Sequence, residues 1–561
     1  MENYKTESEL AGLFGVSQEQ ANALLSAGNL FLRACPGSGK TRSVAARVAW
    51  QLQRGQRLAL LSHTKIGAQE IASAASRTYG AAPSGENYIG TLHAFLLKYV
   101  LRPWGHVIAN SVTPLSMNPE RAQEFAPEGI VLADWKSNLQ GTLYSKRRVD
   151  ANTDISAIVT AKNSAAKAGY VSYDDAIYLC TKILNTYPLL AGALASRFDE
   201  IIVDEAQDTN VMQLECLRLI AETKKLASIV LVGDYDQTIF EFGGSDPDAC
   251  EEFALDLGLR PEVLRENYRS SQLICDIAAH FRPGVEADVA MAEHATLDLV
   301  PRLFVYPVKC PEKAVAAFDQ WLEVIDTPIH SKAVLARAGE LAAKLRGGQS
   351  NLVSTTPFAE LLQARKLSPV LDLQICRDLE RLVLDRAFDG LLPLDVDSLK
   401  VRNAVLGLIA TLPDLSGDLG DWAQAASAAL DECARAFRPA SASELVPLKA
   451  PASWRSKDAE AWKREPDSLT LIDTIHKAKG LSIDAVLVVG AVPPDWAKSS
   501  NANDWSMAIN CDTPTVNEEL RLAYVAVTRA RKVLALALPS STRGTLLERY
   551  ELAGFEVTRL D

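Results

Sequence analysis

Eight residues, Ala34-Cys35-Pro36-Gly37-Ser38-Gly39-Lys40-Thr41, have the types and spacing of a phosphate cradle. Glycines let a backbone turn so tightly that several N–H groups face one anion, and a helix starting there adds the positive end of its dipole. In such a loop Lys40 reaches the outer phosphates of a nucleotide and Thr41 offers a hydroxyl to Mg²⁺. The usual pattern opens with glycine, and Ala34 stands in that place. A second stretch supplies complementary chemistry, because the apolar run Ile201-Ile202-Val203 delivers Asp204-Glu205-Ala206-Gln207-Asp208. Asp204 could hold Mg²⁺ through water, and Glu205 could polarise an attacking water. Further on, Ile229–Val232 runs into Gly233-Asp234-Tyr235-Asp236-Gln237, where Gln237 could sense a terminal phosphate. Phe240 and Phe242 follow at spacing two, and either ring could stack on a base or pack in a core.

These groups need elements to hold them. Leu30-Phe31-Leu32 reads as a strand entering the loop, and Ser43 to Trp50 as a helix leaving it. Residues 18–28 read as a helix capped by Ser17, which brings the Gln20 amide within reach of a nucleotide base. Leu58-Ala59-Leu60-Leu61 suits a buried parallel strand, followed by a helix from Ile66 to Ser76. Polar groups at the carboxyl ends of such strands face the crevice of an α/β sheet, so Thr64 is a candidate for a nucleic-acid phosphate. Ile89–Phe95 repeats the layout with Thr91 and His93. A helix cap is the plainer role for each threonine.

Two stretches break the α/β pattern. Residues 102–171 carry scattered polar segments and the basic triplet Lys146-Arg147-Arg148, and residues 347–466 are rich in Leu and Ala at helical spacing, as in Leu373 to Leu384. Both read as mainly helical insertions. At 561 residues, with 48% hydrophobic and 23% charged residues, the chain is long enough for several cores. No apolar run reaches the length of a membrane span, and the N-terminus lacks the pattern of a signal peptide, so the expected location is the cytoplasm. The nine cysteines form no Cys-x-x-Cys pair, which offers neither a disulfide frame nor a zinc site. A net charge of −12 argues against a chain that coats nucleic acid indiscriminately, though it permits a local groove for a single strand.

Taken in order, these stretches resemble the motifs of the superfamily 1 DNA helicases of the UvrD/Rep type. The Gln20 helix resembles that family's adenine-reading motif, and Ala34–Thr41 its phosphate loop, alanine included. Asp204–Asp208 and Gly233–Gln237 are similar to its second and third motifs. Glu266-Asn267-Tyr268-Arg269-Ser270 is similar to the fourth, Leu471–Leu481 to the fifth, and Glu518–Ala530 to the sixth.

The resemblance implies an α/β protein with two RecA-like P-loop motor domains built on parallel sheets, each carrying a helical insertion. Its expected boundaries are 1–101, 102–171 and 172–261 for the first motor with its insertion, then 262–346, 347–466 and 467–561 for the second. It implies ATP and Mg²⁺ as cofactors, with Lys40, Glu205, Gln237, Arg269 and Arg529 catalytic, and Thr41 and Asp204 on the metal. Gln20, residues 34–41 and Tyr268 would bind the nucleotide, Tyr268 by stacking on adenine. Thr64, Thr91, His93, Phe242 and His476 would line a path for single-stranded DNA or a partial duplex, with movement 3′ to 5′. The chain departs from the family at Gly243, where a DNA-contacting Arg is usual, and at Ser482, where an acidic residue is common. A weaker likeness is to the compact UvrD-type helicase subunits of antiviral systems such as Gabija, which implies a nuclease partner and leaves unwinding open.

Overall fold

The computed structural model describes residues 7–24, 28–145, 153–239, 247–282, 284–345, 361, 365, 373–388, 398–414, 416–438, 445, 448, 470–490, 518–542 and 544–561. Phe242 and Gly243, and the basic triplet at 146–148, lie outside them.

Two six-stranded sheets organise the chain. The first contains β1 (Leu30–Ala34), β2 (Leu58–Ser62), β3 (Tyr88–Thr91), β4 (Glu200–Asp204), β5 (Ser228–Gly233) and β6 (Arg260–Leu264), in the order β6-β1-β5-β4-β2-β3. The second contains β7 (Arg302–Tyr306), β8 (Lys332–Ala336), β9 (Thr470–Thr474), β10 (Ile483–Val489), β11 (Ala530–Pro539) and β12 (Glu556–Arg559), in the order β9-β8-β10-β11-β7-β12. Every neighbouring pair is parallel. Parallel strands need crossovers that cover both faces of the sheet, so their sequences run apolar without alternation. β2, β4, β5 and β10 are buried along their whole length, as that geometry requires. In the first sheet the loops at the strand carboxyl ends carry the polar residues singled out above; in the second, His476 follows β9, while Arg529 directly precedes β11.

The helix after the phosphate loop, Lys40–Gln53, is fixed to the first sheet by a buried ion pair. Arg47 donates from Nε and Nη2 to the two carboxylate oxygens of Glu200 at 2.9 and 2.6 Å, and Gln51 and Ser228 bond the same carboxylate at 2.8 and 2.9 Å. Because every lone pair facing inward finds a donor, the pair is tolerable; removing one member would cost about 3–5 kcal/mol.

The chain leaves the first sheet inside a helix rather than at a loop. Leu92–Leu96 continues through a π-helical turn, Leu97–Leu101, into Arg102–Ala109. Pro103 sits in the first turn of that last segment, and a proline there removes a donor that the wider turn preceding it does not need. The following residues form a small antiparallel hairpin, Trp135–Ser137 with Leu143–Ser145, and a helix, Ile155–Lys167. The second insertion is described through helices Leu373–Phe388, Ser398–Thr411 and Leu419–Arg435, which share a core around Leu379, Val383, Val405, Trp422 and Leu430. Arg386 and Asp431 pair across that bundle at 2.7 Å. Among the described residues no helix is long and apolar enough to cross a membrane.

Candidate functional site

The phosphate loop joins the end of β1 to the Lys40–Gln53 helix. Ala34 is the last residue of β1, in register with Leu264, so its backbone is extended and the position makes no demand for glycine. The demand falls on Gly37 and Gly39, at φ 87° and 73°. A side chain on Gly37 would also meet Arg269 Cβ at 2.4 Å, and one on Gly39 would meet Gln20 Nε2 at 2.9 Å. These contacts show what clasps the loop. Gln20 Nε2 donates to the Ser38 carbonyl at 2.7 Å, and the Tyr268 backbone N–H donates to the Gly37 carbonyl at 2.8 Å. Glu19, next to Gln20, accepts the backbone N–H groups of Arg265 and Glu266 at 2.7 and 3.1 Å. The helix Gln18–Leu24, the loop and the Glu266–Ser270 segment therefore form one unit. Cys35 is buried within it, and burial raises its thiol well above the ordinary range.

Lys40 extends from this loop to β4, where its ammonium lies 3.2 Å from Asp204 Oδ1 and bonds Glu205 Oε1. Burial works against the charge on Lys40, but the two carboxylates outweigh it and raise its pKa. Enclosure pushes Glu205 up, and Lys40 with the Gln207 amide overrides that and holds the carboxyl at about 2. Glu205 adopts φ 53°, a left-handed conformation that few non-glycine residues occupy, so the strand end turns sharply to present its carboxylate. Burial raises the pKa of Asp204, and the Lys40 ammonium works against that rise.

On the far side, Arg529 follows the Glu518–Val527 helix and is 1% exposed. Its guanidinium donates to the carbonyls of Val525 and Leu481 at 2.8 and 3.3 Å and to Gln237 Oε1 at 2.9 Å. Gln237 Nε2 in turn donates to Asp234 Oδ2 at 2.7 Å. Burial, then the neighbouring Asp236, pushes Asp234 up to about 7. Arg269 donates to the Thr528 carbonyl at 3.0 Å. Burial pushes the pKa of both arginines down, and each also faces the other or Arg531. One cleft of about 960 Å³ gathers Lys40, Thr41, Asp204, Glu205, Gln237, Tyr268, Arg269 and Arg529, so the two sheets bring together residues almost 500 positions apart in the chain.

The residues expected on a DNA path are distributed less evenly. Thr64 and His476 line the same cleft. Thr64 Oγ1 caps the Lys65–Tyr79 helix by accepting the Gly67 N–H at 3.1 Å. Thr91 caps Leu92–Leu96 through the Ala94 N–H at 3.1 Å and does not line the cleft. His93 lies with its Nε2 3.2 Å from Met117 Sδ and its ring 5.9 Å from that of Tyr173, and burial lowers its pKa. Phe242 falls outside the described residues. Ser482, the departure in the fifth motif, lines the cleft.

Sequence reasoning missed one bond that crosses the cleft. Lys479 donates to both oxygens of Asp208, at 3.0 and 2.8 Å, joining the loop after β9 to the turn after β4. Both residues sit inside recognised stretches, but only the folded chain pairs them.

The family model for the UvrD/Rep helicase N-terminal domain matches residues 16–109 and 110–257, and that for the UvrD-like helicase C-terminal domain matches 427–541. The chain belongs to the UvrD/Rep helicase family. Its relatives in that family include YjcD of Bacillus subtilis, 25% identical over 95% of this chain and 80% of that protein. The ATP-dependent DNA helicase UvrD2 of Mycobacterium tuberculosis is 26% identical over 93% of this chain and 78% of its own length. The ATP-dependent DNA helicase PcrA of Leuconostoc citreum is 27% identical over 47% of this chain and 38% of its own length. As a member of this family the chain is an ATP-hydrolysing enzyme of the UvrD helicase type.

Proposed function

We propose that this protein hydrolyses ATP in the cleft between its two sheets and uses the cycle to move 3′ to 5′ along single-stranded DNA, in the cytoplasm, opening duplexes ahead of it. The observation that carries the reading is the convergence of Lys40 and Glu205 from one sheet with Arg269 and Arg529 from the other on a single cleft. Phosphoryl transfer asks a protein mainly for positioning and for charge aimed at the transferred group. Lys40 and the loop N–H groups take the phosphates, and Tyr268 stacks on the adenine, with Gln20 at its edge. The Asp204 carboxylate, paired here with Lys40 at 3.2 Å, and the Thr41 hydroxyl are hard oxygen donors of the kind Mg²⁺ prefers, and both line the cleft. Bound there, Mg²⁺ neutralises charge on the phosphates. Glu205 orients the attacking water once Lys40 has turned to the nucleotide. Arg269 and Arg529 face the γ-phosphate from the second sheet, and Gln237 reports its presence to Arg529. Closing and reopening the cleft shifts the grip on a strand held along Thr64, Thr91, His93, Phe242 and His476.

The test is the steady-state ATPase rate with and without an unstructured DNA strand, beside displacement of duplexes with 3′ or 5′ single-stranded tails. Stimulated hydrolysis and displacement from the 3′ tail are expected. Hydrolysis indifferent to DNA, or displacement from the 5′ tail alone, overturns the reading.

A second reading keeps the motor and drops the unwinding: a DNA-stimulated ATPase subunit paired with a nuclease. What favours it is Gly243 in place of the family's DNA-contacting Arg, and a second insertion, residues 347–466, shorter than is usual in the family. Under it, stimulated hydrolysis occurs without strand displacement until the nuclease partner is added.

A further inference from the structure

Behind the cleft lies a buried arginine that the chemistry above does not use. Arg282 follows the Gln272–Ala279 helix and is 6% exposed. Its guanidinium carbon stands 4.8 Å from the ring centroid of Tyr524, a cation–π distance. Nη2 is 3.0 Å from Asp288 Oδ2, and Nη1 is 3.9 Å from Asp236 Oδ2. The Asp288 contact is within hydrogen-bond distance, whereas the Nη1–Asp236 contact falls short of it. Nη1 stands just out of hydrogen-bond reach of a carboxylate on the opposite sheet, and a charge-assisted bond there is open to a closer arrangement.

The surroundings say what that arrangement is. Tyr524, under the guanidinium, points its hydroxyl at Asp234 Oδ2, 3.4 Å away. That same oxygen accepts Gln237 Nε2, and Gln237 accepts Arg529. Asp236 belongs to the short turn Tyr235–Gln237 at the end of β5, on the first sheet. Arg282 belongs to the segment that leads into the second sheet. It therefore touches the phosphate-sensing amide by two routes, through Tyr524 and Asp234 and through the turn that carries Asp236. A movement of about 1 Å would bring Asp236 from its present 3.9 Å to hydrogen-bond distance.

We propose that Arg282 is a positioning residue for ATP hydrolysis: as the sheets close, its guanidinium takes Asp236 in a hydrogen bond, draws the Tyr235–Gln237 turn toward Tyr524, and seats Gln237 against Arg529. The inference rests on the ATPase reading and adds a residue that touches neither nucleotide nor DNA. The bond from Nη1 to Asp236 is absent from the arrangement seen here and gained in the closed one, so the residue biases closure rather than binding.

The experiment compares the full-length wild type with Arg282→Met, Arg282→Lys, Asp236→Asn and the Met/Asn double variant, measuring kcat and KM for ATP with saturating oligo(dT). Arg282→Met is expected to lower kcat about tenfold with KM within about twofold, the split of a residue that acts after binding. Arg282→Lys, which keeps the charge over Tyr524, should recover most of that loss. In the Asp236→Asn background the methionine should cost less than about twofold more, because the bond it removes is already gone. Wild-type kcat in Arg282→Met, or a full tenfold loss in both backgrounds, overturns the proposal. If the methionine variant does not fold, Asp236→Asn leaves the packed guanidinium in place, and wild-type kcat there overturns it alone. A wild type that hydrolyses no ATP fails the ATPase reading and this inference with it, whereas an active wild type indifferent to these changes fails the inference only.

Discussion

The two walls of the cleft handle their charges in opposite ways. On the first sheet Lys40 is neutralised by Asp204 and Glu205, each within ion-pair reach. On the second sheet Arg269 and Arg529 make no ion pair among the described residues; their partners are backbone carbonyls, Gln237 and the Thr528 hydroxyl. The first wall is thus self-satisfied without a ligand, and its lysine must exchange carboxylates for phosphates. The second wall keeps two desolvated cations crowded together, an arrangement relieved by an anion placed between them. Binding and hydrolysis divide along the same line: the loop recognises a nucleotide, and the opposite sheet supplies charge to the transition state.

The comparison breaks most easily at Arg529. Arg529→Ala should lower kcat by about 10³-fold or more, the scale of an arginine that neutralises a transferring phosphoryl group, while KM for ATP changes little. A mutant with near-normal kcat would mean that the second wall is structural. Next in size is Glu205→Gln, which removes the water-orienting carboxylate from the self-paired wall. About 10²–10⁴-fold loss of DNA-stimulated kcat is expected, with nucleotide binding, followed by a fluorescent ATP analogue, intact or tighter. Hydrolysis at the wild-type rate would remove Glu205 from the chemistry. Asp208→Asn tests the ion pair that spans both walls. Its loss removes the carboxylate that ties Lys479 to the turn after β4, and about a tenfold fall in kcat is expected, since about 1.4 kcal/mol of misplacement is worth that much. Equal ATPase rates in mutant and wild type, over a range of salt, would show the bridge to be idle.

What could be read from residue order alone follows a physical rule. Each chemical stretch is an apolar strand ending in a polar turn, and that pairing is local enough to see at Ala34–Thr41, Asp204–Asp208 and Asp234–Gln237. Parallel sheets made the strands legible, because burial on both faces writes uninterrupted apolar runs such as Ile229–Val232. Contacts between distant stretches were not legible. Nothing in the residues at 208 and 479 says they pair across 271 positions, and Arg282 has no neighbour in sequence that marks it. The expected start of the first insertion at 102 falls within a helical path from Leu92 to Ala109, since a π turn carries the helix past a proline that reads as a breaker. The expected helix over 18–28 is described from Gln18 to Leu24.

The smallest effect is expected where the first wall meets the base. Gln20 is 4% exposed and already holds two bonds: Nε2 to the Ser38 carbonyl, and Oε1 from the Ser17 N–H at 3.0 Å. An amide has two donors and two lone pairs, so one N–H and one lone pair are left for an adenine edge. The same side chain therefore does two things, bracing the loop and reading the base, and they separate by substitution. Gln20→Glu keeps the acceptor toward Ser17 but sets a carboxylate against the Ser38 carbonyl, which should loosen the loop for every nucleotide. Gln20→Ala removes both contacts without repulsion. It should raise KM for ATP about three- to tenfold, the loss of one or two hydrogen bonds, and bring the ATP and GTP constants closer together, with kcat within about twofold. Unchanged discrimination between ATP and GTP would assign Gln20 to the loop alone and leave Tyr268, which stacks on any base, as the contact that seats the nucleotide.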